Sequence, residues 1–276
     1  MNAITSSTSR AQAPGALVAF FVLACAISWA DWFAVIGSAR GWVPFHVGPN
    51  PWGSFGPALA AVILAWFDGR SDGVRALFAP LRRWRVGATT WLLALLGPWL
   101  IVGAAVGIAV AMGEPLGAIA AVDPLEAILL SVAILIVGGP LGEEVGWRGH
   151  ALPALLRTHS PIVASLLVAA MWAAWHVPLF WMPGAEQEGT SLWGFVLLLA
   201  AFSVMTTWLW LRSGRSLLIA IAFHWAINVS TYLMPGWLPA LADSKSFSRA
   251  LLGVGLLGGI AALGSLWRRD AVAVAP

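Results

Sequence analysis

The chain is poor in charge. Only 10% of its 276 residues are Asp, Glu, Lys or Arg, against 60% hydrophobic. A soluble domain carries about 25% charged and 45–50% apolar residues. A soluble enzyme with a large polar surface is therefore excluded, and an integral membrane protein is expected. One cysteine, Cys25, excludes an intramolecular disulfide and leaves the redox compartment unread. The net charge is +3, from scattered arginines. No basic run with interleaved aromatics is present, so no nucleic-acid partner is expected. There is no internal repeat and no low-complexity linker. One Tyr stands against eighteen Trp. Trp suits interfacial anchoring, yet Trp147, Trp172, Trp175 and Trp225 fall beside polar motifs.

Apolar windows of about 20 residues mark membrane helices. They predict an all-α, polytopic transmembrane bundle of about eight helices: roughly 15–37, 53–67, 89–112, 125–147, 160–182, 192–211, 215–233 and 250–267. Residues 1–14 and 270–276 read as tails, 15–269 as the bundle, and about 120–235 as its catalytic core. The first apolar stretch is too long for a signal-peptide core and is kept as a helix. With the N-terminus placed inside, twelve of the fifteen basic residues fall on inner segments. Arg40, Lys245 and Arg249 fall outside. The positive-inside rule then puts both termini in the cytoplasm. A bacterial inner membrane is the expected setting, with the bilayer as the surrounding partner.

Within this apolar background stand a few ionisable groups. The segment LEAILLSVAILIVGGPLGEEVGWRG carries Glu143 and Glu144 side by side. Each costs roughly 2.5–3.5 kcal/mol on insertion scales, which argues for function. Glu144 and Arg148 are i,i+4 and face each other, a buried ion pair that locks the helix. Glu143 points about 100° away and has no local partner. A carboxyl in such a place suits proton transfer. Upstream, Pro140 in Gly138-Gly139-Pro140 removes a helix donor and frees the carbonyl of Ile136.

In MWAAWHVP, Trp172 and His176 are i,i+4. If the fourth and fifth helices form a hairpin about the turn RTHSP, Glu143 and His176 sit at equal depth and meet. In FHWAIN, His224 and Asn228 share one face and can both donate hydrogen bonds, as an oxyanion-stabilising pair would. Asp31 and Glu126 are placed near helix ends, and His150 and His159 in the connection without a named partner. No Gly-x-Ser-x-Gly elbow and no Ser-Lys pair supports a serine nucleophile.

Glu-Glu-x-x-x-Arg, aromatic-x-x-x-His and His-x-x-x-Asn, in this order on membrane helices, resemble the CPBP intramembrane proteases. That family includes CAAX prenyl endopeptidases and bacterial bacteriocin-processing or self-immunity proteins. The resemblance covers about 120–235. It departs mildly at Trp172, where Phe is frequent. It implies an intramembrane endopeptidase acting on a membrane-associated peptide or protein, prenylated CAAX chains among them. Glu143 with His176 would activate water. His224 and Asn228 would hold the oxyanion. Glu144, Arg148 and Trp172 would support the site, with no metal or other cofactor. Two alternatives remain open at this point. One is a zinc protease that uses Glu143, His176 and His224 as ligands. The other is a transporter or scaffold that uses the polar cluster for proton coupling.

Overall fold

The computed structural model describes residues 14–137, 139–241 and 243–274. Gly138 and the expected tails, apart from the helical backbone at Pro14 and 270–274, lie outside the described residues. Among the described residues all regular structure is helical. The α-helices are α1 (Pro14–Ala39), α2 (Gly56–Phe78), α3 (Ala88–Ala111), α4 (Pro124–Val137), α5 (Pro140–Gly146), α6 (Leu152–Leu155), α7 (Pro161–His176), α8 (Leu192–Arg212), α9 (Leu217–Trp237) and α10 (Lys245–Val274). The expected all-α membrane bundle is the fold found.

Serine hydroxyls start three of these helices. Ser160, Ser191 and Ser216 accept from the backbone N–H groups of Val163, Gly194 and Ile219. Each satisfies one orphan donor of a first turn. The chain turns sharply from α8 into α9 because Gly214 and Arg215 both adopt positive φ, 68° and 67°.

Two expectations change. First, seven helical stretches among the described residues are long and apolar enough to cross a membrane, and α2 is not among them. Its apolar part ends at a kink, where Gly69 and Arg70 leave helical geometry and Arg70 takes φ 53°. Second, the expected continuous helix over 125–147 is broken. α4 stops at Val137, Gly139 takes φ 109°, and α5 begins at Pro140. Pro suits a first helical position, where its missing N–H costs nothing. A π-helical turn, Trp147–Ala151, then joins α5 to α6.

α5 is held by close backbone packing. A Cβ on Gly142 would lie 2.6 Å from the Ser54 carbonyl oxygen, and one on Gly146 would lie 2.6 Å from that of Pro57. Only glycine lets the start of α2 approach this near. The Ser54 hydroxyl also donates to the Val137 carbonyl (3.1 Å), one of the acceptors released at the end of α4. The main core lies beside this contact. Phe20 meets Trp147 edge-on at 5.5 Å, and Trp147 meets Trp175 at 6.0 Å. Trp147, Trp172 and Trp175 are thus buried core residues, not interfacial anchors.

Candidate functional site

Four elements bring the polar residues of the sequence motifs together. α5 carries Glu143 and Glu144, the π-helical turn carries Arg148, α7 carries Trp172 and His176, and α9 carries His224 and Asn228. Glu143 is 5% exposed, His176 7% and His224 5%. Water reaches them sparingly, and electrostatic interactions among them are strengthened accordingly.

Glu143 is not without a partner. The Trp172 indole N–H donates to its Oε2 across the α5–α7 interface. Trp172 is also the centre of the aromatic contacts. Its ring lies 5.9 Å from that of His176 and 5.3 Å from that of His224. The Arg148 guanidinium sits 4.9 Å from the same indole, a cation–π distance. Glu143 and His176 both converge on Trp172.

Glu144 is fully buried, as is Arg148. The expected i,i+4 pair forms, with Arg148 Nη1 2.8 Å from Glu144 Oε1. Arg148 Nη2 donates to the Ser203 hydroxyl (3.2 Å), which donates to the Ser165 carbonyl (3.0 Å). The pair therefore ties the π-helical turn to α7 and α8. Glu144 has a second role that helical spacing did not reveal: His224 Nδ1 lies 2.9 Å from the same Oε1. One carboxylate oxygen orients both a guanidinium and an imidazole.

These contacts assign the histidine tautomers. His176 Nδ1 lies 2.8 Å from the Trp172 carbonyl, which only accepts, so Nδ1 carries the hydrogen. In the neutral ring Nε2 is then the acceptor. The same holds for His224, whose Nδ1 faces the Glu144 carboxylate already paired with Arg148. Its Nε2 accepts while the ring is neutral and donates only once the ring is protonated. With its Nδ1 hydrogen directed at Glu144, a neutral His224 has no second N–H to donate.

Asn228 follows one turn after His224 and is half-buried. A Cβ placed on Gly139 would lie 3.9 Å from its Nδ2 and would collide with Glu143 Oε1. Asn228 and Glu143 therefore flank the same glycine at the α4–α5 break. Among the described residues, no three His, Cys, Asp or Glu side chains are grouped to hold a metal ion.

The other polar residues have structural partners. Asp31 lies inside α1, not at its end, and accepts from the Gly53 N–H at 3.1 Å. Glu126 occupies the first turn of α4. His150 packs on Phe20 at 4.9 Å. The Ser230 hydroxyl donates to the Ile227 carbonyl. Trp175, which the motif reading did not use, donates its indole N–H to Ser28, and Ser28 donates to the Gly53 carbonyl. This chain links α7 to α1 and to the segment that precedes α2.

Comparison with known proteins points to the same segment. Residues 125–230 match the family described as type II CAAX prenyl endopeptidase Rce1-like. A curated relative, CAAX prenyl protease 2 of Methanococcus maripaludis, is 32% identical over 109 residues. The match takes in 37% of this chain and spans 40% of the length of that relative.

Proposed function

We propose, from the premise that residues 125–230 make this chain a member of the CPBP/CAAX prenyl endopeptidase family, that it is an intramembrane endopeptidase. Its reaction is hydrolysis of a peptide bond by a water that Glu143 and His176 activate. The observation that carries this reading is the convergence of Glu143 and His176 on Trp172, with His224 beside them, in a site that is 5–7% exposed.

In this reading Glu143 takes a proton from water as the oxygen attacks the scissile carbonyl. The Trp172 indole holds the carboxylate in one rotamer and leaves its other oxygen for the water. His176, with its Nδ1–H spent on the Trp172 carbonyl, offers the Nε2 lone pair to the same water. Positioning of this kind contributes through correct approach geometry. Asn228 supplies an amide donor for the oxyanion. His224, oriented by Glu144, would join it only when its Nε2 carries a hydrogen. Each such donor is worth roughly 2.7–4 kcal/mol. The proton held on Glu143 passes to the leaving amine.

No step in this scheme calls on a metal ion. The substrate class is a membrane-associated peptide, with prenylated CAAX chains the type named for the relative from Methanococcus maripaludis. The test is twofold. Purified protein in proteoliposomes is assayed on a prenylated CAAX peptide, wild type against Glu143→Gln. Membrane-proteome N-termini are compared in cells carrying either form. N-termini generated only by the wild type support the proposal. Cleavage undiminished in Glu143→Gln overturns it.

A further inference from the structure

A cavity of about 170 Å³ lies among α3, α8, α9 and α10. None of Glu143, His176, His224 and Asn228 lines it. Its wall is apolar but for Ser265, with Leu93, Gly97, Ile101, Trp208 and Ala261 among the lining residues. Leu93 and Ala261 are exposed, so the slot opens sideways, toward lipid. An apolar void of about 150 Å³ is enough to admit benzene, so this one has room for a stretch of hydrocarbon chain. From Leu93 to Ile101 it runs about 12 Å along α3.

One end of the slot is basic. Arg212 lies over the Trp208 ring at 5.8 Å, so the residue that walls the slot also carries a guanidinium. Val86 packs on the same core cluster and brings Arg85 to that end. Arg83 Nη1 donates to the Gly214 carbonyl (2.8 Å), which joins segments 82–85 and 212–215 in one rim. All four arginines, 83, 85, 212 and 215, are exposed. Among the described residues none of the four is paired with a carboxylate.

An apolar slot open to the bilayer, ending in uncompensated arginines, fits a ligand with a hydrocarbon tail and an anionic head. We propose that it is a binding site for one anionic glycerophospholipid, with an acyl chain in the slot and the phosphate on Arg85 and Arg212. Basic pockets between membrane helices recognise such headgroups by charge. The inference is independent of the proteolytic reading, because it uses none of the same residues and its test needs no activity.

The experiment is native mass spectrometry of the full chain in mild detergent. Equimolar phosphatidylglycerol and phosphatidylcholine with identical acyl chains are the probes. The wild type is expected to prefer phosphatidylglycerol by about fivefold for each arginine engaged. Arg85→Ala with Arg212→Ala should bring the preference close to parity. Gly97→Phe, whose side chain would fill the slot, should lose bound lipid with the rim intact. Equal retention of the two lipids by the wild type overturns the site. So does an unchanged preference in the double arginine variant, or unchanged lipid in a folded Gly97→Phe. A measurement without variants uses phosphatidylglycerol bearing a diazirine on its acyl chain. Cross-links to α3, α8 or α10 at the slot support the site, and labelling confined to other helices overturns it.

Discussion

The Trp172 indole donates to the Glu143 carboxylate across a helix interface, from a residue 29 positions away. Trp172→Phe keeps the ring in the core and deletes this donor. A hydrogen bond to a charged group is worth about 1.5–3 kcal/mol. The expected result is a fall in kcat of roughly tenfold to a hundredfold with KM little changed. Activity should persist in part, because Phe keeps an aromatic ring against His176 and His224. Trp172→Ala should cost far more, since the Arg148 cation–π contact and the packing on His224 go as well. Equal activities of the Phe and Ala variants would contradict this account.

Glu144→Gln removes the counter-charge of Arg148 and leaves His224 only a neutral amide oxygen as its acceptor. Breaking a buried ion pair by removing one partner costs roughly 3–5 kcal/mol. Thermal unfolding in detergent should show a lowered Tm. An apolar double replacement, Glu144→Leu with Arg148→Met, should restore much of that stability. It should not restore cleavage, because His224 stays without its orienting carboxylate. Recovery of activity in the double variant would remove Glu144 from the positioning of His224.

Gly139→Ala tests the break between α4 and α5. The glycine holds φ 109°, where a side chain is strained, and the added Cβ would collide with Glu143. Strain of this kind costs on the order of 1–3 kcal/mol. Activity should be lost while the protein still inserts and binds detergent as a monodisperse species. A fully active Gly139→Ala would mean that Glu143 acts from another position.

Metal dependence is settled by stoichiometry. Elemental analysis of purified, active protein is expected to show well under one zinc per chain with full turnover. One zinc per chain, lost together with activity in His176→Ala and His224→Ala, would replace the proposed mechanism with a zinc-dependent one.

Topology turns on α2. The Arg83–Gly214 bond places residues 80 and 214 on one side, the basic side. With eight spans the N-terminus shares that side. With seven, α2 does not cross and the N-terminus lies opposite. Residue 269 falls on the basic side in both cases. Reporter fusions at 80, 187 and 269 are expected to read cytoplasm, outside and cytoplasm. An N-terminal reporter then decides the count. An outside signal at 80 would overturn the charge argument.

The class of fold and the positions of its long helices were legible from composition alone, since backbone buried in lipid must satisfy its own hydrogen bonds. Glu144 and Arg148 were also legible, because i,i+4 geometry is local to one helix. The interruption at Gly139 was half legible. Pro140 announced an irregularity, but a kink and a clean helix end read alike until Ser54 is seen to take up the Val137 carbonyl. The failure of α2 to qualify as a span is itself a matter of composition, because its apolar run ends at residue 67 and Asp68, Arg70 and Asp72 follow at once.

What tertiary structure alone decided is which side chains meet. Glu143 looked unpartnered because its partner comes from α7. The bond from His224 to Glu144 joins residues 80 positions apart. Both depend on the rotation and depth of separate helices. Those are set by the backbone contact of Gly142 and Gly146 with residues 54–57 and by the packing of Trp147 on Trp175. The sequence by itself determined a membrane bundle and its costly polar residues, because burial in lipid penalises them wherever the helices lie. Their pairing across helices, the His224 tautomer and the arginine-rimmed slot were decided by three-dimensional contact, because they arise only where different helices touch.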